Sequence, residues 1–219
     1  SSDLEKIKEG YYTDAYFMRS EEILNGDNYH PRVLMQVFAR DHVVVCGTDE
    51  VIALIRQCAF HPETIEIHSL RDGEEVDEWE TVMTIEGDYA DFAHLETIYL
   101  GILARQSRIA TNVRRVVKAA NGKPVLFFPA RYDIYQTQES DGYAALVGGI
   151  HGFSTDANAL AAGGKGLGTI PHALIASYKG DTVAATEAFD KYVDPSIARI
   201  ALVDFDNDCV NTSLAVARK

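Results

Sequence analysis

"HLETIYLGILARQSRIATNVRRVVKAANGKPVLFFPAR", residues 94–131, is where the chain changes character. Most of it reads as one long helix, and Gly122-Lys123-Pro124 supplies the glycine-then-proline stop that ends such a run. Upstream, the runs "VLMQVFA", "HVVVCG", "TIEIHSL" and "WETVMTIEG" read as strands separated by Gly, Asp, Pro and acidic turns. One helix, "TDEVIALIRQ", interrupts them, with Thr48 or Asp49 as its N-cap. Downstream, apolar strands at "PVLFFPA", "GLGTI" and "ARIALVDF" alternate with helices near "DGYAALVGG", "STDANALAAGG", "HALIASY" and "TVAATEAFDKY". That alternation predicts parallel strands joined by crossover helices.

The expected fold class is therefore α/β: an N-terminal α+β domain over residues 1–94, then the first part of an incomplete α/β barrel over 95–219. A closed barrel needs about eight strands, so the sequence reads as the front part of a longer protein. In sheets of this kind ligand groups gather where strands end and helices begin. Arg131, His172 and Asp204 fall at such ends.

Composition narrows the function classes. With 219 residues, 47% of them hydrophobic, the chain has material for a large core. The formal charge of -13 gives no general attraction to nucleic acid or anionic lipid. A local arginine cluster can still hold a small phosphorylated metabolite, because distant surface charge is screened. Cys46, Cys58 and Cys209 are odd in number and far apart, which suits reduced thiols and a cytoplasmic setting. No apolar run has the length of a membrane span.

Six segments, in order, resemble nicotinate phosphoribosyltransferase, within the barrel-type phosphoribosyltransferases that also include the nicotinamide enzyme. They are "YYTDAYFMR", "WETVMTIEGDYADFAHLETIYLGILARQSRIAT", "FFPAR", "DGYAALVGGIHGFST", "GTIPHALI" and "ALVDFDND". The resemblance implies an α/β domain followed by an incomplete barrel, in a homodimer with active sites at the subunit interface. It implies transfer of the phosphoribosyl group of phosphoribosyl pyrophosphate to nicotinate, with Mg²⁺ and with ATP as co-substrate. The alternatives are the same chemistry on nicotinamide, or a noncatalytic binding or assembly subunit.

His172 follows Pro171, a residue suited to the first helical position, with Thr169 as a candidate cap. A helix N-terminus disfavours imidazolium and favours phosphate, and the resemblance implies that ATP phosphorylates His172. As a bare pair, a proline and a histidine more often mark only a hydrogen-bonded helix start; the surrounding matched segments favour the phosphate-accepting role. Arg131 presents a planar fork suited to a carboxylate or phosphate, and Phe128 either stacks on a pyridine ring or belongs to the core. The resemblance gives both a place at the substrate.

Thr13, Asp14 and Tyr16 read locally as a turn or strand start, whereas the resemblance implies that Tyr16 reaches across the dimer to cover the partner's pyridine ring. Asp204 offers hard oxygen ligands for Mg²⁺; Asp206 and Asp208 serve equally well as helix caps. Ser154 and Thr155 contact phosphate or base, or cap a helix. Arg105, Arg108, Arg114 and Arg115 form a basic stripe on the long helix, with no individual assignment, and His151 is ambiguous. Many relatives carry a second arginine where this chain has Tyr132, which puts base or phosphate preference in question.

Overall fold

The computed structural model describes residues 3–219. These divide into two compact units, Ser1–Gly166 and Leu167–Lys219.

The first unit begins with two helices, α1 (Asp3–Lys8) and α2 (Ala15–Gly26); Thr13 and Asp14 lie in the expected turn between them, and Tyr16 is in α2 and not in a strand. A three-stranded antiparallel sheet follows, in the order β1 (Arg32–Phe38), β5 (Thr81–Asp88), β3 (Glu66–Ser69). Two short strands, β2 (Val43–Val44) and β4 (Glu75–Val76), pair separately. The register sets Ile85 between Met35 and Ile67, so one face of the sheet is apolar. On the other face Thr84 sits between Gln36 and His68, and Arg32 bridges Glu66 and Glu86.

Helix α3 (Thr48–Cys58) covers the apolar face with Val51, Leu54 and Ile55. Its N-cap is Gly47, in the left-handed region at φ 98°, so Thr48 is the first helical residue and not the cap. Thr48 instead binds the Asp72 carboxylate through both its N–H and its hydroxyl.

Helix α4 (Glu96–Ala119) is 24 residues long, about 36 Å at 1.5 Å per residue. Its first half completes the sheet core with Tyr99 and Leu103, and its second half buries Ala110 and Val113 in separate clusters. Past the stop at Gly122 come β6 (Leu126–Phe127), α5 (Gln138–Gly148) and β7 (Gly152–Phe153). β6 and β7 are parallel, so this is one strand–helix–strand crossover. β7 is a strand that the sequence reading missed, because two residues between glycine-rich turns carry no periodicity.

The α4–α5 contact is close and polar at its ends. Arg105 on α4 grips the buried Asp141 of α5 with Nε and Nη2 at 2.9 and 2.8 Å. Arg114 donates to the carbonyls of Val147 and Gly148, satisfying acceptors that the end of α5 leaves open. Helix α6 (Asp156–Ala159) follows β7 and lies against α5 at Gly142.

The second unit holds α7 (His172–Ser177), α8 (Thr182–Tyr192) and α9 (Cys209–Ala217) around Ile170, Ile175, Ala185 and Phe189. The strands expected at "GLGTI" and "ARIALVDF" are not formed. Both segments are apolar enough for a strand, but strand structure needs a partner backbone, and neither has one among the described residues. The fold is mixed α/β, an α+β layer followed by a parallel crossover unit.

Candidate active site

The residues singled out from sequence fall into three groups. The first is the turn into α2. Asp14 is its N-cap, without a side-chain capping bond. The Asp14 carboxylate accepts from the Thr97 hydroxyl at 2.9 Å while its N–H donates to the same oxygen at 3.0 Å, which ties α2 to the start of α4. The Thr13 hydroxyl donates to the His94 carbonyl. Tyr16, 57% exposed, directs its hydroxyl back to Asp14. Partial desolvation, then the Asp14 carboxylate, raises the phenol above its usual range. Tyr11 and Tyr12, in the turn before α2, are also exposed.

The second group lies beyond the carboxyl ends of β6 and β7. Phe128 directly follows β6 and is half exposed, so the core reading does not hold for it. A turn closed by Tyr132 N–H to the Pro129 carbonyl, 2.8 Å, places Arg131 on the surface. Unlike Arg105 and Arg114, Arg131 has no hydrogen-bond or ion-pair partner among the described residues. The Ser154 N–H donates to the Phe127 carbonyl at 3.1 Å, so the two strand ends stand side by side. Ser154 Oγ is buried there without a hydrogen-bond partner. Thr155 caps α6 by accepting from the Asn158 N–H at 3.1 Å, and its hydroxyl also meets Gln138. Tyr132, at 89% exposure, touches solvent where a second cation would have stood.

His172 and Asp204 form the third group, within the second unit. Pro171 is the N-cap of α7 and His172 its first residue, one position later than the sequence suggested, and Thr169 makes no cap. The 32-residue separation closes in space: His172 Nε2 lies 3.0 Å from Asp204 Oδ1, with Phe205 stacked on the ring. A carboxylate only accepts, so Nε2 carries the proton. In the neutral ring the lone pair is then on Nδ1. Asp208 caps α9 by accepting from Asn211 N–H, and Asp206 accepts from the Thr212 hydroxyl, which accounts for both.

The basic stripe on α4 separates into two pairs. Arg105 and Arg114 are consumed by α5, as above. Arg108 and Arg115, seven residues apart and hence on one helix face, line a cleft of about 590 Å³ with Arg40, His42, Phe38 and Leu100. Arg40, Arg108 and Arg115 have no internal acidic partner among the described residues. The sequence signal was the Arg108/Arg115 spacing; what hid it was Arg40, which joins only through the fold of β1 and β2. Among the described residues no three His, Cys, Asp or Glu side chains are placed to hold a metal ion.

Residues 14–107 match the family model described as quinolinate phosphoribosyl transferase, N-terminal domain. The structure of a nicotinate-nucleotide pyrophosphorylase from Pyrococcus furiosus superposes with a TM-score of 0.89 at 35% identity, over 98% of this chain and 55% of that one. The chain belongs to this phosphoribosyltransferase family. A nicotinate phosphoribosyltransferase of Mycobacterium tuberculosis is 27% identical over 216 residues, 82% of this chain and 47% of that protein. Human nicotinic acid phosphoribosyltransferase shares the fold, with a TM-score of 0.63 at 15% identity over 75% of this chain and 40% of that one. The chain thus spans about half the length of the relatives it matches. The N-terminal family model covers α2 to the middle of α4 and includes Asp14, Tyr16 and Thr97. No helix among its described residues is long and apolar enough to cross a membrane.

Proposed function

We propose that this chain belongs to a cytoplasmic enzyme that joins nicotinate to the phosphoribosyl group of phosphoribosyl pyrophosphate. The products are nicotinate mononucleotide and pyrophosphate, for NAD synthesis. The observation that carries the reading is Arg131, exposed and unpaired at the end of a parallel strand beside the half-exposed Phe128. A free guanidinium takes a carboxylate bidentately, and an adjacent aromatic face takes the pyridine ring. Nicotinamide would instead need a hydrogen-bond acceptor and no excess positive charge.

A second reading, quinolinate as the base, is favoured by the description of the family model. Quinolinate carries two adjacent carboxylates and calls for a second cation. The residue next to Arg131 is Tyr132, so the site as built suits one carboxylate better.

In the reaction the bond from the ribose anomeric carbon to pyrophosphate breaks as the pyridine nitrogen bonds to that carbon, through a cationic state. Arg131 and Phe128 hold the base in line, and Ser154 Oγ offers a spare donor at the same strand end. Tyr16, from the partner subunit of a homodimer, covers the ring. Arg40, Arg108 and Arg115 offer a cationic surface for phosphate groups.

His172 is the group that accepts phosphate from ATP. Nδ1 bonds to the γ-phosphorus as the bond to ADP breaks, and the ring becomes cationic, keeping its proton on Nε2 and donating it in a hydrogen bond to the Asp204 carboxylate. A carboxylate in that position steadies the cation and fixes which nitrogen attacks. Asp204 would hold Mg²⁺ through its second oxygen, and the ion would supply neutralising charge to a bound phosphate group.

Steady-state assays of the full-length protein with each base, with and without ATP, test the proposal. Nicotinate should outcompete nicotinamide, and ATP should stimulate turnover. Equal or reversed preference between the two bases defeats the assignment.

A further inference from the structure

His94 is fully buried at the approach to α4, and no role has been given to its side chain. Its Nε2 lies 3.1 Å from the Cys58 carbonyl, which only accepts, so Nε2 carries a proton. Its Nδ1 faces Glu21 Oε2 of α2 at 3.5 Å, and each of these two atoms is buried with no hydrogen-bond partner, so each is the nearest group that can satisfy the other. Phe60 lies tilted against the ring, its centroid 4.6 Å away. The His94 backbone carbonyl meanwhile takes the Thr13 hydroxyl. Glu21 lies seven residues after Asp14, on the same face of α2. His94 therefore holds α2 at its start through its backbone and two turns later through its ring.

We infer that His94 and Glu21 share a single proton, and that this proton positions α2 and with it Asp14 and Tyr16. With Nε2–H fixed, Nδ1 and Oε2 have two arrangements that satisfy both atoms. In one a carboxylic acid donates to the imidazole lone pair, and in the other an imidazolium donates to a carboxylate. Each holds one proton between the partners and leaves the pair neutral. Removing that proton turns a carboxylate toward a lone pair in a buried site. Adding a second sets imidazolium against carboxylic acid. Either change leaves charge without a partner, so α2 is released.

The surroundings favour the neutral arrangement. Burial, then the Asp91 carboxylate, pushes Glu21 up, and burial pushes His94 down. Asp91 itself binds His61 at 2.7 Å, and His30 binds Asp88 at 2.8 Å; with Glu21 these four groups line one solvent cavity of about 480 Å³. Protons thus reach Glu21 from that side. Cys58, whose carbonyl meets the ring, has a thiol that burial raises and that the charge of Lys8 of α1 lowers.

The sign of the pH effect follows from counting protons. When α2 is released, Glu21 and His94 take their ordinary values of 4.5 and 6.5. Between those values the released pair also holds one proton, so docking of α2 is independent of pH. Above 6.5 the released state holds none, and docking weakens by up to tenfold per pH unit until the docked pair ionises. Below 4.5 the released state holds two, and docking weakens as pH falls.

Hydrogen exchange of the α2 amides in the full-length protein, corrected for intrinsic rates, reads this directly. The wild type should show a plateau and then rising exchange above 6.5. In Glu21→Gln the amide donates to Nδ1 at every pH, so exchange should be flat above 6.5 and rise below it. Wild-type exchange that ignores pH, or a glutamine variant with the wild-type profile, overturns the inference. Should Glu21→Gln fail to fold, nitrogen and carboxyl resonances of the wild type decide: His94 Nδ1 and the Glu21 carboxyl must titrate together, and separate titrations overturn it. The link to catalysis rests on the Tyr16 assignment above. Above pH 6.5, KM for nicotinate should rise with α2 exchange in the wild type and stay level in Glu21→Gln. If exchange follows the expectation and KM does not, the shared proton stands and the Tyr16 role falls.

Discussion

Replacing Gly142 with alanine tests the α5–α6 contact that fixes the Ser154–Thr155 loop. At an unobstructed helical position Gly→Ala stabilises by about 0.5–1 kcal/mol. At Gly142 an added Cβ would stand 2.1 Å from the Asn158 carbonyl oxygen, 2.6 Å from its Cα and 2.7 Å from its carbonyl carbon. Ordinary contact lies near 3.5–4.0 Å, and both sides are backbone, so α5 and α6 must part by roughly 1 Å or more. Overpacking of this kind costs about 1–3 kcal/mol. That outweighs the gain in helix propensity, and a net loss of about 1–2 kcal/mol is expected. Gly101 in α4 has nothing within 4 Å of its added Cβ and serves as the control. Urea unfolding followed by circular dichroism should show Gly142→Ala lowered in midpoint and Gly101→Ala raised, at unchanged slope. A Gly142→Ala protein as stable as the wild type would refute the close contact.

Arg105→Ala leaves the buried Asp141 carboxylate with only the Thr137 hydroxyl, and the same unfolding assay should register a loss of about 3 kcal/mol or more; a loss under about 1 kcal/mol would mark the pair as dispensable. Phosphate labelling from ATP should vanish in His172→Ala and fall about fivefold in Asp204→Asn, since this ion pair is half exposed and is worth about 1 kcal/mol after screening; labelling that survives in His172→Ala names another acceptor. Mixing inactive Tyr16→Ala and Arg131→Ala proteins should restore about a quarter of wild-type activity, because half the dimers are mixed and each has one sound site of two. No recovery despite proven subunit exchange would leave Tyr16 with a role in its own chain alone.

The parts of the fold that showed in the sequence are those whose pattern is set by one buried face. β1, β5, α3 and α4 alternate or recur at their own period because the sheet core takes Met35, Ile85, Val51 and Tyr99 from regular positions. α1 and α2 did not show, because neither has a buried residue and the Tyr-rich turn between them favours strand by propensity alone. "GLGTI" and "ARIALVDF" failed in the opposite direction: local apolar character was present and a pairing partner was not. Among the candidate site residues, the positions of Arg131 after a strand and of His172 at a helix start were legible from short motifs, since strand and helix ends are local. The His172–Asp204 bond was not, because it joins positions 32 residues apart. Nor was the separation of Arg105 and Arg114 from Arg108 and Arg115, which depends on where α5 lies across α4.

The most direct test of the account distinguishes nicotinate from quinolinate. Both bases give nicotinate mononucleotide, but only quinolinate must lose a carboxyl group as carbon dioxide. The full-length protein would be incubated with phosphoribosyl pyrophosphate and an equimolar mixture of the two bases, the quinolinate labelled in its 2-carboxyl group. One carboxylate held by Arg131, with Tyr132 beside it, predicts nicotinate mononucleotide formed from nicotinate with no labelled carbon dioxide released. Labelled carbon dioxide released in step with product would contradict the account and assign the site to the dicarboxylate.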